Sequence, residues 1–409
     1  MSDKIAPKGW EVKRLGEVCE VIGGGTPSKA NNEFYGGDIL WATVRDMKGE
    51  IITDTEYKIT KDAVKNSSTN IIPKGNVIIA TRVGLGKICL IEHDTAINQD
   101  LRGIVPINQN RLSVDFLYRW FQSIAYKIVD EGTGATVQGV KLPFIKSLPI
   151  PLPPLPEQKR IVAILDETFE SITKAKENAE KNLNNAKEIF ESCLQSVFEN
   201  KGEGWEEKKL VDICEIKPPK SEARNKLKET DVVSFVPMED LGINQKIIIP
   251  EKERTLKEVE GSYTYFANDD VLLAKITPCF ENGKLSIAKN LKNNIGFGSS
   301  EYIVFRTNKN IFSEYLYYFL LRSQFREEGA KRMMGAVGHK RVSKEFIENY
   351  MIALPSLVEQ QSIVSKLDAL STETKKLEAI YTQKLADLEE LKKSILAKAF
   401  NGELTEASA

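Results

Sequence analysis

Several polar and basic side chains of this sequence could bind a polyanion. Glycine-rich backbone, hydroxyl groups and cations bind phosphate, and Arg, Lys, Asn and Gln can also read base edges. In the first half of the chain the candidates are Gly25, Thr26, Ser28, Lys29, Thr81, Arg82, Lys87, Asn98, Gln99, Thr133, Thr136, Gln138 and Lys141. In the second half they are Lys217, Lys220, Lys275, Lys284, Ser299, His339, Lys340, Arg341 and Ser343.

Each group of candidates has an ordinary structural alternative. Residues 23–29 (GGGTPSK) could approach a phosphate or form a plain turn, and the counterpart 217–221 (KPPKS) keeps the charge but loses the glycines. Arg82 and the lysines that follow matched strands could be solvated strand ends. For Asn98 and Gln99 we favour hydrogen bonds to the backbone inside the fold.

The common signatures of enzymes and metal sites are not found in this sequence. It contains no P-loop, no complete GxGxxG, no GxSxG and no (D/N)PP(Y/F) tetrapeptide. The five cysteines form no CxxC pair, so we do not expect a metal site at either histidine. We interpret His339 as a nucleic-acid contact and His93 as a surface residue. We expect no catalytic centre and no cofactor bound by this chain. No apolar run suggests a signal peptide or membrane span, and the reducing cytoplasm is the expected compartment.

Three segments recur in the same order and indicate an internal duplication. The matches are 9–21 (GWEVKRLGEVCEV) with 204–216 (GWEEKKLVDICEI), 152–166 with 354–368, and 192–200 with 394–402. The first pair is offset by 195 residues and the other two by 202. The chain is therefore predicted to consist of two copies of one unit.

Each copy is predicted to be a mixed α and β domain followed by one long helix. Apolar runs such as 77–82 (VIIATR) and 271–276 (VLLAKI) are typical of buried strands, and the aromatic stretches 114–129 and 313–325 predict helices that pack on the core. The predicted boundaries are 1–155 for the first domain, 156–202 for the first helix, 203–355 for the second domain and 356–409 for the second helix.

Both predicted helices carry a seam of residues in steps of four and three, which is a coiled-coil pattern. The seam positions are Ile161, Leu165, Thr168, Ile172, Ala175, Ala179, Asn182, Ala186, Ile189 and Cys193, and Ile363, Leu367, Leu370, Thr374, Leu377, Tyr381, Lys384, Leu388, Leu391 and Ile395. Because the second domain lies between the helices in sequence, an antiparallel pair needs the shortest connection. We expect an α+β protein in which an antiparallel coiled coil with pseudo-two-fold symmetry joins two similar domains. Two independent surface helices are the alternative.

The charge distribution gives a weak electrostatic footprint for DNA. The whole chain of 409 residues has a net charge of −1 and is 41% hydrophobic, which excludes a disordered polyelectrolyte. Residues 1–155 and 201–355, which hold the two predicted domains, carry +2 each, whereas residues 156–200 and 356–409, which hold the helices, carry −3 and −2. The slightly basic domains are therefore the expected DNA-binding parts, and the acidic helices suit protein docking.

This layout resembles the specificity subunit of type I restriction–modification systems. The resemblance is carried by residues 23–29, by the junction 132–162, by its weaker copy 335–364 and by the paired long helices. It implies that each domain is a target recognition domain reading one half of a bipartite double-stranded DNA site. It also implies that the helices fix the spacer and dock two modification subunits.

The resemblance further implies the cofactors and partners. The modification subunits would use S-adenosylmethionine to methylate adenine, and restriction subunits would use ATP and Mg to translocate and cut DNA, while this chain itself does no chemistry. Two other functions stay open. A coiled-coil scaffold would bind proteins without DNA specificity, and a self-contained DNA enzyme would bind S-adenosylmethionine by itself.

Overall fold

Short aliphatic and β-branched runs form strands in both halves of the chain, as their composition predicts. We describe them from a computed structural model, which covers residues 9–133, 139–336 and 338–404. The chain divides into two units. The first combines Met1–Ala179 with Gln383–Ala409, and the second is Glu180–Thr382.

The first unit contains one mixed domain and the outer parts of two long helices. Its strands are β1 (Glu11–Arg14), β2 (Cys19–Gly23), β3 (Tyr35–Ala42), β4 (Ile51–Ile52), β5 (Tyr57–Ile59), β6 (Asn70–Ile72), β7 (Val77–Ala80), β8 (Ile88–Ile91), β9 (Thr95–Ile97), β10 (Leu101–Pro106) and β11 (Pro149–Leu152). Its helices are α1 (Leu15–Val18), α2 (Lys61–Lys65), α3 (Val114–Thr133), α4 (Leu142–Ser147) and the beginning of α5 (Leu155–Glu199).

The second unit also has eleven strands among its described residues, in a similar order, but it has a further short helix and two helices in place of α3. Its strands are β12 (Glu206–Lys209), β13 (Cys214–Ile216), β14 (Val232–Val236), β15 (Ile247–Ile248), β16 (Lys252–Thr255), β17 (Thr264–Ala267), β18 (Val271–Ala274), β19 (Leu285–Ala288), β20 (Ile295–Gly298), β21 (Tyr302–Thr307) and β22 (Met351–Leu354). Its helices are α6 (Leu210–Ile213), α7 (Ser221–Lys226), α8 (Leu256–Val259), α9 (Ser313–Leu321), α10 (Ser323–Lys331), α11 (Lys344–Glu348) and the beginning of α12 (Leu357–Phe400).

The sheets confirm the internal repeat. The first domain has sheets in the orders β2-β10-β7-β8-β4, β5-β3-β9-β6 and β1-β11, and the second has β13-β21-β18-β19-β15, β16-β14-β20-β17 and β12-β22. Each domain contains two parallel pairs among antiparallel neighbours: β3 with β9 and β4 with β8 in the first, and β14 with β20 and β15 with β19 in the second. Both domains are therefore α+β, as the sequence predicts.

The predicted aromatic stretches pack into the domain cores. Tyr118, Trp120, Phe121, Tyr317, Tyr318 and Phe319 are all buried, which confirms core packing over base stacking. The expected single helix over 313–325 is wrong, because α9 ends at Leu321 and α10 begins at Ser323. Between them Arg322 adopts an extended backbone, with φ −56° and ψ 139°. Its guanidinium donates to Phe319 O at 3.0 Å and lies over the Phe319 ring. These two contacts stabilise the interruption between α9 and α10.

The two long helices pair in an antiparallel sense within each unit. In the first unit, Ile161 and Leu165 near the start of α5 share a core with Leu396 and Ala399 near the end of α12. Lys176 Nζ also lies 2.6 Å from Glu389 Oε1. In the second unit, the last turns of α5 share a core with the first turns of α12, through Leu194, Phe198 and Leu367 among others.

The predicted seam holds in part. Ile161, Leu165, Ile172, Ala179 and Ala186 are buried in steps of four and seven, but Ile189, Leu377 and Leu391 are exposed. Near the domains the buried positions move to Phe169, Leu194, Phe198, Leu396 and Ala399, because the helix ends pack on domain cores rather than only on each other. Among the residues that the structure describes, none of the helices is apolar enough over a sufficient length to cross a membrane.

Candidate nucleic-acid interface

In the first domain, the 23–29 loop is held closely against the end of β9. Trp41 Nε1 and Thr69 Oγ1 donate to Gly25 O at 3.2 and 2.8 Å, and the Tyr35 hydroxyl donates to Pro27 O at 2.8 Å. A Cβ on Gly24 would lie 2.1 Å from Asn98 O. The glycine allows the loop to pack against its own domain, while Ser28 and Lys29 are exposed beyond it.

This loop meets a second predicted segment that is distant in sequence. The Thr26 hydroxyl donates to the side-chain oxygen of Gln99, although the two residues are 73 positions apart. Asn98 is buried: its Oδ1 accepts from the backbone N–H of Asp100, and its Nδ2 donates to the side chain of Asp100, each at 3.1 Å. Gln99 differs, because its side chain is exposed beside Thr26. The fold thus brings Thr26 and Gln99 together at one edge.

The remaining first-domain candidates surround this edge. Thr81 is buried and its N–H donates to Asp100 O at 2.8 Å, whereas Arg82 is exposed with Nε 3.8 Å from Asp100. Lys87 and Lys141 are exposed, and Lys141 precedes α4. Thr133 is the last residue of α3, and nothing further is described of its side chain; Thr136 and Gln138 lie outside the described residues.

A cleft of about 690 Å³ opens beside Gln99 and was missed by sequence reasoning. Its aromatic wall is Tyr35, Trp41 and Tyr57, whose rings meet edge to face at 6.2 and 6.4 Å, and Arg45 lies at its rim. A signal existed. Residues 43–45 follow β3 just as 98–100 follow the parallel strand β9, so both segments must meet at the same sheet edge.

The equivalent edge of the second domain is a small cationic pocket of about 270 Å³. Lys275 Nζ donates to Ser300 O at 2.9 Å. The Arg341 guanidinium donates to both Glu301 oxygens, at 2.9 and 2.7 Å, and this pair lowers the pKa of Glu301. Lys217 is exposed beside them.

Other second-domain candidates make contacts within the fold. Lys220 Nζ donates to Glu260 O and Gly261 O, and Lys284 Nζ donates to Met238 O at 2.7 Å. Ser299 Oγ accepts from Glu301 N, and Ser343 Oγ accepts from Phe346 N to cap α11. His339 and Lys340 are exposed. DNA contact by these residues, and by those of the first domain, stays a prediction.

Two pairs of backbone hydrogen bonds show that the edges are equivalent. Thr81 N donates to Asp100 O at 2.8 Å, and Lys275 N donates to Glu301 O at 2.9 Å. In the same way Val140 N donates to Thr81 O, and Val342 N donates to Lys275 O. Each domain therefore presents the same strand ends and the same junction to one face.

The comparison with protein families matches this duplication. The family model described as "Type I restriction modification DNA specificity domain" matches residues 7–182 and again residues 202–389. The chain belongs to this family. Each of its two specificity domains includes one mixed domain and part of the long helix that follows it.

Relatives and solved structures agree with this membership. The chain is 31% identical over 232 residues to the type I restriction enzyme MjaIX specificity subunit of Methanocaldococcus jannaschii, a match covering 51% of this chain and about half, 52%, of that relative. A chain from a study of complex assembly and conformational transition of the type I R-M system superposes with a TM-score of 0.76 at 22% identity, over 97% of this chain and 99% of that one. The HsdS subunit from Thermoanaerobacter tengcongensis gives 0.62 at 21% identity, over 98% and 99%. At these identities the structures support the fold of the paired specificity domains.

Proposed function

We propose that this chain is a non-catalytic subunit that recognises DNA sequence in a type I restriction–modification complex. The observation that carries the proposal is the pair of equivalent edges, one in each specificity domain. Each edge gathers exposed polar or basic side chains, such as Gln99 and Arg82 in the first and Lys217 and Arg341 in the second. Two related readers suit a bipartite DNA target.

The edges have the side-chain chemistry that sequence reading requires. Amide and guanidinium groups can bond two acceptors of one base, and ammonium groups bind phosphate. The residues differ between the domains, since Asn98 and Gln99 stand where the second domain has Ser299 and Ser300. Each domain therefore reads its own half-site, and the full target is asymmetric.

The long helices fix the number of unread base pairs between the half-sites and dock two modification subunits. Their acidic composition disfavours DNA and suits protein partners. Exposed Ile189, Leu377 and Leu391 on α5 and α12 offer apolar contacts for such docking. The modification subunits supply S-adenosylmethionine-dependent adenine methylation, and restriction subunits supply ATP- and Mg-dependent cleavage in the cytoplasm.

A genome-wide map of methylated adenine, made with and without this gene, tests the proposal. Loss of one bipartite motif on deletion, and its return with the intact gene, is the expected result. The intact gene could also be returned to cells that hold an active modification subunit. If no motif then reappeared, the result would contradict DNA recognition and favour a protein-binding scaffold. Exchanging residues 1–150 for another recognition domain should change one half-site and leave the other intact.

A further inference from the structure

The cationic pocket of the second domain has the chemistry of an anion site. We propose that Lys217, Lys275 and Arg341 together hold one phosphate of the DNA backbone beside the half-site that this domain reads. This contact positions the duplex and reads no base. The inference rests on the proposed function, and it adds a ligand class and a role for one specific pocket.

The pocket carries an excess of positive charge. Its lining includes Lys217, Lys275, Arg341 and Lys344. The acid beside them, Glu301, already receives two hydrogen bonds from Arg341, and Lys344 Nζ lies 3.0 Å from Glu348. Two carboxylates are thus available to four cations, and a bound phosphate would offset the remaining positive charge.

Lys275 is the cation that this excess affects most. Its side chain is only 29% exposed, and one of its three donors is used by Ser300 O. Burial lowers the pKa of Lys275; Glu301 opposes that effect, and the positive charges of Lys217 and Arg341 add to it. A bound anion would satisfy the remaining donors and reduce the repulsion between the three cations.

Lys217 has a left-handed backbone conformation, which costs less free energy for glycine than for a residue with a Cβ. Its φ is +62°, in the left-handed region, and its N–H donates to Val304 O at 2.8 Å. A residue with a Cβ costs about 1–2 kcal/mol there. The sequence nevertheless places a long cation at this position, at the end of β13 and at the rim of the pocket.

The first domain does not repeat this set of cations. By the repeat alignment and the shared backbone hydrogen bonds, Ile22, Thr81, Gly139 and Leu142 stand where the second domain has Lys217, Lys275, Arg341 and Lys344. Arg82 and Arg102 of the first domain stand instead where the second has Ile276 and Ile303. The phosphate pocket is therefore a property of the second domain, and the two halves anchor DNA differently.

Salt-dependent binding of the full chain to a 30-base-pair duplex tests the pocket. The variant is Lys217→Gln/Lys275→Gln. The control is Lys252→Gln/Lys257→Gln, which removes the same charge from exposed positions on β16 and α8 of the same domain. Each phosphate contact contributes about 0.9 to the slope of log K against log salt. We expect the pocket variant to lower the slope by about one, because one phosphate contact is lost, and the control to lower it by less than half a unit.

The outcomes separate this inference from the proposed function. If the unaltered chain shows no salt-dependent DNA binding, both fail. If it binds with a steep slope and the pocket variant behaves as the control does, the pocket is wrong and DNA recognition stands. In cells that carry the pocket variant, the same motif should be methylated at lower occupancy. A changed motif would instead mean that these lysines read bases. Equal thermal melting of the variants shows that folding is retained.

Discussion

At the scale of single residues, the second domain buries a carboxylate that one arginine neutralises. Arg306 Nε and Nη2 lie 2.9 and 2.8 Å from the two oxygens of Asp270, whose side chain is 2% exposed. Burial raises the pKa of Asp270, while Arg306 and the N–H of Ala267 oppose that rise. Glu222 also accepts from the same guanidinium at 2.6 Å. The arrangement ties β18, β21 and α7 together.

Arg306→Met should lower the free energy of unfolding by about 3–5 kcal/mol, because it leaves the Asp270 charge buried without its partner. Chemical denaturation measures the change. The matched control is Arg224→Met, which breaks an exposed pair with Glu260 and should cost less than about 1 kcal/mol. Adding Asp270→Asn to Arg306→Met should recover part of the loss. Equal costs for both single variants would show that burial of Asp270 is not the cause.

The left-handed conformation of Lys217 predicts a trade-off between stability and binding. Lys217→Gly should raise the free energy of unfolding by about 0.5–1 kcal/mol, since it relieves the Cβ contact at φ +62° at some cost in chain entropy. The same variant should weaken duplex binding at moderate salt. Denaturation and binding titrations on one preparation measure both effects. Lys257→Gly, a change within α8, should instead be destabilising. A loss of stability in Lys217→Gly would refute the strain argument.

At the scale of elements, a buried glutamine joins each domain to its long helix. Gln158 Oε1 accepts from Ser113 N at 2.9 Å, and its Nε2 donates to Arg111 O and Pro153 O at 2.7 and 2.9 Å. Gln360 bonds Phe312 N, Asn310 O and Pro355 O in the same way, each at 3.0 Å. Both side chains are fully buried. One amide thus binds the loop before an aromatic helix and the proline lead-in of α5 or α12.

Gln158→Met should lower the free energy of unfolding by about 2–4 kcal/mol, because it leaves three buried backbone groups without their partner. The amide of Ser113 should also exchange its hydrogen faster, which hydrogen-exchange mass spectrometry measures. Gln383→Met is the control on α12, where an exposed amide donates to Asp387 and the expected change is within about 0.5 kcal/mol. If both variants lowered the free energy of unfolding by the same amount, Gln158 would not be the residue that joins the domain to its long helix.

The elements also show what could be predicted from the sequence and what could not. Helices α5 and α12 were predictable, because stretches free of proline and glycine, 157–201 and 356–401, follow a proline lead-in. Their seam was predictable only in part, since Leu194 and Leu396 are buried by domain packing that a helical period does not contain. Thr26 and Gln99 could be identified as candidate DNA contacts from their residue types alone. Their contact depends on the order of strands, which is a tertiary property.

At the scale of the whole molecule, the proposed function predicts that the helix pair sets the spacing of the DNA target. Seven residues inserted in the heptad register after Ala179 in α5 and after Thr382 in α12, where each helix passes between units, should lengthen both helices by about 10 Å. At about 3.4 Å per base pair, the spacer should grow by about three pairs, with both half-sites unchanged. The methylation map measures spacer and half-sites together. An unchanged spacer in an active protein would mean that the helices do not set it.

The first unit is assembled from two stretches of chain that are far apart in sequence, and this has a consequence for biosynthesis. Its core includes Leu396 and Ala399 as well as Phe116 and Leu165. A ribosome therefore finishes every residue of the second unit, Glu180–Thr382, before it supplies the last side chains that the first unit needs. Until then the nascent first domain exposes apolar surface to chaperones and proteases. A message truncated before codon 383 yields a product with one unfinished half, which cellular quality control can remove.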